Sequence, residues 1–305
     1  MFSGGKDSSL LAQFFLKEKI NFISVFINTN QKITEIEKNK KIASSIAKKN
    51  NFEFDEIKID LTNKNKSLII NYMMFDFHFS LIHFEGIKKI IKKYGKNINL
   101  ICGQSSDSIF SYGASANTFS HFISRLSYFY NNHFISFVVK IFLERKYNKK
   151  LINYNINKET LFFLSFYYYL YIDKDLYQKS KNIIKEITNL KQKLRNKRDY
   201  FMYLKIFGFL QGSDNQVVIN ACKAYDVNCF LPYLDPQIIY STVKKKNSLK
   251  DIFFPKYVVN ELLDKSFKNI IINYKHYNKT KFLIKDKEKE LKNEFLKIIN
   301  KLKAK

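Results

Sequence analysis

Residues 3–9, Ser3-Gly4-Gly5-Lys6-Asp7-Ser8-Ser9, constrain this chain more than any other stretch of it. Two adjacent glycines let the backbone turn sharply and bring successive N–H groups towards one anion. Ser8 and Ser9 then open a helix, whose N-terminus offers partial positive charge and N–H donors without intrahelical partners. A carboxylate at Asp7 should repel phosphate. Its presence makes sense when Mg2+ stands between the two, since Mg2+ favours one or two carboxylates together with phosphate oxygens. The spacing is not that of the G-x-x-x-x-G-K-[ST] loop. Such a turn needs a sheet behind it and a crevice in front of it.

The residues that follow supply the pattern of a sheet. Phe22–Asn28 (FISVFIN) reads as a buried strand, Glu35–Asn50 as a helix with Ile36, Ile42, Ala43 and Ile46 at helical spacing, and Phe54–Ile59 as a second strand. A helix is predicted over Ile82–Tyr94 with Gly95 as its C-cap, then a strand over Ile98–Cys102 that runs into Gly103. Strands alternating with helices predict a parallel sheet with helices on both faces. From about Ala114 the strand signals fade. Phe119–Arg145, Glu159–Ile172, Asp173–Leu194, Asp199–Leu210 and Gln216–Tyr225 carry helical periodicity, and Ile284–Leu302 is a Lys-rich amphipathic helix. The fold class is therefore α/β, with a largely helical C-terminal half.

A loop of this kind normally follows a buried strand, yet only Met1 and Phe2 precede Ser3. The first strand, central in the sheet, is expected to be missing. Either the true start lies upstream, or the gene is broken, or the sequence is a fragment. Residues 1–305 alone are then expected to be poorly soluble or partly unfolded.

A formal net charge of +26 invites a nucleic-acid reading, because clustered Lys and Arg neutralise phosphates. The bias is broader than charge, however. Lys, Asn, Ile, Phe and Tyr are all abundant, whereas the chain has only 8 Gly, 3 Pro and no Trp. That pattern points to compositional drift, which leaves long-range attraction for anions and no specific nucleic-acid partner. Cys102, Cys222 and Cys229 form no C-x-x-C pair, which argues against a zinc ribbon or disulfide scaffold and suits a reducing cytoplasm. His78, His83, His121, His133 and His276 show no H-x-x-x-H spacing and read as structural or exposed. No signal peptide pattern opens the chain. Its most apolar run, Leu161–Ile172, falls short of the roughly 20 residues of a membrane span.

The loop resembles that of the N-type ATP pyrophosphatase (PP-loop) superfamily, whose members cleave ATP between its α- and β-phosphates. Two later segments narrow the likeness. Cys102-Gly103-Gln104-Ser105-Ser106-Asp107-Ser108-Ile109-Phe110-Ser111-Tyr112-Gly113 resembles the S-G-E-G-x-D-E-x-F-G-G-Y segment of the asparagine synthetase C-terminal domain. The stretch from Asp214 to Asp235, ending in Leu231-Pro232-Tyr233-Leu234-Asp235, resembles that family's D-R-x-x-M-x-x-G-x-E-x-R-x-P-F-L-D stretch. All three blocks stand in family order.

The resemblance implies an adenine nucleotide α-hydrolase-like (Rossmann-like) core over residues 1–115, a helical part over 116–305 that completes the synthetase domain, and no glutaminase domain. It implies that Ser3, Gly4, Gly5, Asp7, Ser8 and Ser9 hold the phosphates of ATP, and that Asp7 and Asp107 are the Mg2+ carboxylates. Gly103 and the loop after Phe26 would border the nucleotide, with Glu35 as an acidic residue nearby and Lys275 as a late basic contact to pyrophosphate. Asp7, Asp107 and Lys275 are thus the candidate catalytic residues. The implied reaction adenylates aspartate or a related carboxylate, releases pyrophosphate, and forms the amide with ammonia, for which a separate glutaminase is a candidate source.

Departures from the family pattern fall at chemically important positions. Gln104 and Ser108 stand where the family has Glu, and Asn228-Cys229-Phe230 stands where it has E-x-R. An amide cannot act as a general base, and losing an Arg removes a bidentate carboxylate clamp. Two other readings stay open. A tRNA-modifying PP-loop enzyme is favoured by the basic charge and opposed by the missing C-x-x-C and by the P-Y-L-D block. A degenerate, non-catalytic remnant is favoured by the missing strand, Gln104 and Phe230.

Overall fold

The computed structural model describes residues 1–29, 34–59, 80–110, 213–244 and 256–271, with isolated positions between 137 and 185 and at 293 and 297. Apart from those isolated positions, the helices predicted over 119–145, 159–172, 173–194, 199–210 and 284–302 lie outside the described residues. The chain divides into two compact units. One comprises Met1–Ser105, Gln211–Asp235 and Val259–Lys305; the other comprises Ser106–Leu210 and Pro236–Val258.

The first unit alternates helix and strand: α1 (Lys6–Lys17), β1 (Ile23–Asn28), α2 (Thr34–Lys49), β2 (Glu53–Lys58), α3 (Leu81–Tyr94) and β3 (Asn99–Ile101). In the second unit, α4 (Ser106–Phe110) packs against the later helix at Pro236–Lys244. The chain returns to the first unit with α5 (Ser213–Ala224), β4 (Asn228–Phe230) and a 3-10 turn (Pro232–Leu234). The helix at Pro236–Lys244 is α6, and α7 (Tyr257–Leu262) and α8 (Lys265–Ile271) follow it. None of the helices among the described residues is long and apolar enough to cross a membrane.

Every strand pairing among the described residues is parallel. β1 runs beside β2, with Ile23 opposite Glu53 and Asn28 opposite Lys58. β3 runs beside β4, from Asn99 opposite Asn228 to Ile101 opposite Phe230. Met1 and Phe2 lie between the two pairs. The Phe2 N–H donates to the Val25 carbonyl at 2.7 Å, and the Met1 amino group donates to the Ile101 carbonyl.

Strand alternation assigns the two faces of the β1–β2 pair. Val25 and Ile57 join Leu81, Phe84, Ile87 and Ile90 of α3 in one core cluster, to which α5 adds Val218 and Ala221. Each of the larger of these side chains, fully buried, stabilises the fold by about 1.5–3 kcal/mol. Residues of the other parity face α2: the Asn28 amide donates to Glu56 at 2.6 Å, and Lys40 pairs with the same carboxylate at 2.9 Å. Helices therefore cover both faces, as the alternation predicted. The buried Gln13 fastens α1 at its far end. Its amide nitrogen donates to the Leu262 carbonyl at 2.9 Å, and its oxygen accepts from the Asp264 N–H at 2.7 Å.

Towards the N-terminal ends of β1 and β3, the two strands are separated by a cavity of about 830 Å3. Its walls include Leu11, Phe15 and Leu16 of α1, Phe22, Phe52 and Ile90. Phe2, Phe15, Phe22 and Phe52 stack in a chain of ring contacts 5.2–5.6 Å apart along it.

Candidate functional site

The site is built from the turn before α1. Gly4 takes φ +72°, a left-handed conformation that costs a glycine little. A Cβ there would also stand 3.0 Å from the Ala43 backbone nitrogen, so α2 leaves room only for hydrogen. Gly5 is the N-cap residue of α1. The serine hydroxyls close the turn. Ser8 Oγ accepts from the Ser3 N–H at 3.3 Å and donates to the Gly5 carbonyl at 3.2 Å, while Ser3 Oγ accepts from the Gly5 N–H at 3.3 Å.

A second cavity, of about 290 Å3, opens beside this turn. Ser3, Asp7 and Ser8 form part of its wall, and Val25, Phe26 and Ile27 of β1 form another part. Cys102, Gly103 and Gln104 follow β3 into it. Gly103 sits so close that a Cβ would meet the Ser8 backbone nitrogen at 3.1 Å and Asp7 Cβ at 3.3 Å. From the far end of the chain, the buried Tyr233 donates its hydroxyl proton to the Asp7 carbonyl at 2.8 Å. Burial, and then the negative charge of Asp7, push the Tyr233 phenol up, so it stays a donor. Three distant segments thus meet at Asp7.

Of the residues singled out by sequence, Ser3, Asp7, Ser8 and Gly103 come together in this cavity, bordered by Phe26 and Ile27. Gly4 and Gly5 shape the turn behind it. Ser9 is fully buried in α1, and its hydroxyl has no partner among the described residues. Asp107 lies in α4 and Glu35 in the first turn of α2, but both side chains lie outside the described residues, as does all of Lys275. Gln104, where the family pattern has Glu, lines the cavity.

The donor chemistry suits a hard cation. Asp7 beside two serine hydroxyls offers oxygen ligands of the kind Mg2+ takes, with phosphate oxygens to complete its shell. Among the described residues no cluster of three or more His, Cys, Asp or Glu forms a preassembled metal site. Cys102 is buried. Hydrogen bonding with Cys229, together with burial, pushes its thiol well up, so the reactive thiolate is suppressed.

Two features escaped the sequence. Tyr233 belonged to a family-like block, but its bond to Asp7 had no signature of its own. His83, read as structural or exposed, lines the cavity, with Nδ1 sealed and without a hydrogen-bond partner among the described residues. The available signal was Gly86, a glycine inside a helix pattern, which marks a close approach one turn beyond His83. Comparison of the chain with protein-family models, with curated proteins and with solved structures finds no match.

Proposed function

We propose that this chain is an asparagine synthase-like, AMP-forming amide ligase built on an adenine nucleotide α-hydrolase-like (Rossmann-like) core. The observation that carries the reading is the convergence on Asp7. Gly103 of the second family-like block packs on Asp7 and Ser8, and Tyr233 of the third binds the Asp7 carbonyl. The resemblance requires those three blocks to share one site, and nothing in their spacing along the chain does.

In this reading the phosphates of ATP lie at the turn Ser3–Ser9 and the nucleoside lies against Val25–Ile27. Asp7 would hold Mg2+, which when bound would neutralise the departing pyrophosphate; Asp107 takes its part as second carboxylate from the resemblance alone. The N-terminus of α1 stabilises the charge that develops there. The carboxylate of aspartate, or of a related acceptor, attacks the α-phosphorus while the bond to the β-phosphate oxygen breaks. Ammonia then displaces AMP from the acyl-adenylate to leave the amide. Lys275 and Glu35 take their roles from the resemblance alone. The partners are a small carboxylate and ammonia in a cytoplasmic setting.

The test is Mg2+-dependent exchange of pyrophosphate into ATP in the presence of aspartate. Asp7→Asn is expected to lower exchange at least about 100-fold, the size typical of losing one preorganised electrostatic group, with an unchanged melting temperature. Exchange at the wild-type rate in that variant rejects the assignment. Gln104 in the cavity wall favours a second reading, a nucleotide-binding remnant without ligase chemistry. ATP binding with no exchange for any carboxylate selects it. A tight complex with one tRNA at physiological salt would instead promote the tRNA-modifying alternative.

A further inference from the structure

The cavity wall has a polar part, Ser3, Asp7 and Ser8, and an apolar part, Val25, Phe26 and Ile27; His83 of α3 belongs to the same wall. Two facts determine how His83 meets it. Gly86 brings α3 so near β1 that a Cβ there would stand 2.4 Å from Ile27 Cδ1. Residues three apart share a helix face, so His83 rides on the face applied to the C-terminal part of β1. The second fact is that Nδ1 is shut off from solvent and has no hydrogen-bond partner among the described residues. A proton there would be a buried donor without an acceptor, so the neutral ring is assigned its proton on Nε2, the nitrogen left for the cavity. Burial keeps the ring neutral, pulling its pKa down to about 4. On the α3 side the cavity therefore presents an uncharged donor beside apolar β1 side chains. A flat ring with apolar faces and acceptor nitrogens on its edge is the complementary ligand.

Building on the nucleotide reading above, we propose that His83 recognises the base, its Nε2–H donating to a ring nitrogen of a purine lodged against Val25, Phe26 and Ile27. The phosphates, held at the other part of the wall, do not depend on it. Nothing in the catalytic scheme uses His83, so its loss should alter which nucleotide is bound and how tightly.

Titration calorimetry with ATP and with tripolyphosphate, on the wild-type chain and on His83→Leu and His83→Gln, tests this. His83→Leu is expected to weaken ATP about tenfold, the worth of one hydrogen bond of about 1.4 kcal/mol, and to leave tripolyphosphate unchanged. His83→Gln, whose amide nitrogen reaches the Nε2 position, should retain ATP binding within about threefold, less than one hydrogen bond's worth. His83→Leu should also melt no lower than the wild type, because it removes an unsatisfied buried nitrogen. Should it not fold, His83→Asn gives the same contrast against His83→Gln, since its shorter amide cannot reach. Equal ATP affinity in the wild type and His83→Leu, or an equal loss for tripolyphosphate, overturns the assignment of His83. A wild-type chain that binds neither ATP nor tripolyphosphate overturns the nucleotide reading itself.

Discussion

The two cavities of the first unit share part of their walls and differ in almost everything else. Met1, Phe2, Ser8 and Val25 border both. Towards the C-terminal end of β1, the smaller cavity carries hydroxyls, a carboxylate, an imidazole and a glycine pressed against the turn. Towards the N-terminal ends of β1 and β3, the larger cavity is walled chiefly by aliphatic and aromatic side chains. Ligand crevices in open α/β sheets lie at strand C-termini, where loops and helix N-termini converge. The opposite end has only packing to offer. Chemistry and stability should therefore separate, and substitutions at the two ends should have different signatures.

The sharpest way to test that separation is to fill the larger cavity. A strand of about five or six Val and Ile residues, joined ahead of Met1, would run on from Phe2 between β1 and β3. Two or three side chains buried in the cavity stabilise by about 1.5–3 kcal/mol each. At about 2–4 °C per kcal/mol for domains above 150 residues, calorimetry should register a midpoint at least about 6 °C above that of a Gly/Ser extension of equal length. Affinity for tripolyphosphate at the other cavity should change little. Equal midpoints for the two extensions would dissolve the contrast between the ends.

The opposite substitution is Gly4→Ala. It forces a Cβ into a left-handed residue and against the Ala43 backbone, which cannot move without α2. Strain of that kind costs about 1–3 kcal/mol. Nucleotide affinity should fall further than stability, since the turn is the part that reshapes. A variant that binds tripolyphosphate like the wild type would remove the phosphate role from this turn.

These effects bear on what the sequence could disclose. Strands longer than a few residues were legible: Phe22–Asn28 and Phe54–Ile59 were predicted, against β1 at Ile23–Asn28 and β2 at Glu53–Lys58. Their alternation carries the same information as the pleat. β4, three residues long like β3, was missed because it follows directly on a helix pattern. Its pairing with β3 depends on residues more than a hundred positions away. In the site, the turn itself was legible, because adjacent glycines signal the left-handed backbone that Gly4 adopts. His83 was not, since a histidine in a helical run looks the same whether its ring meets solvent, core or ligand. A crevice in front of the turn was expected, but which residues line it was not legible, being a property of what several segments leave unfilled.

The smallest effect concerns the wall of the larger cavity. Asp55 of β2 accepts from Tyr94 Oη at 2.6 Å and from Lys93 Nζ at 2.7 Å, and Tyr94 lines that cavity. Burial pushes the Asp55 carboxyl up, but the hydrogen bonds from Lys93 and Tyr94, with the lysine's charge, outweigh it and hold the group below its ordinary 3.8. A carboxyl depressed in the folded state adds stability above its unfolded value, and that stability is lost as pH falls through the folded value. Asp55→Asn should therefore cost about 1 kcal/mol at pH 7, the worth of one net hydrogen bond. The difference from wild type should shrink once pH drops below 3.8 and vanish in stronger acid. Urea denaturation at a series of pH values reads both. Because the bond braces only the apolar cavity, the same variant should bind tripolyphosphate with unchanged affinity. A loss of that affinity would mean that the two ends of the strands are coupled.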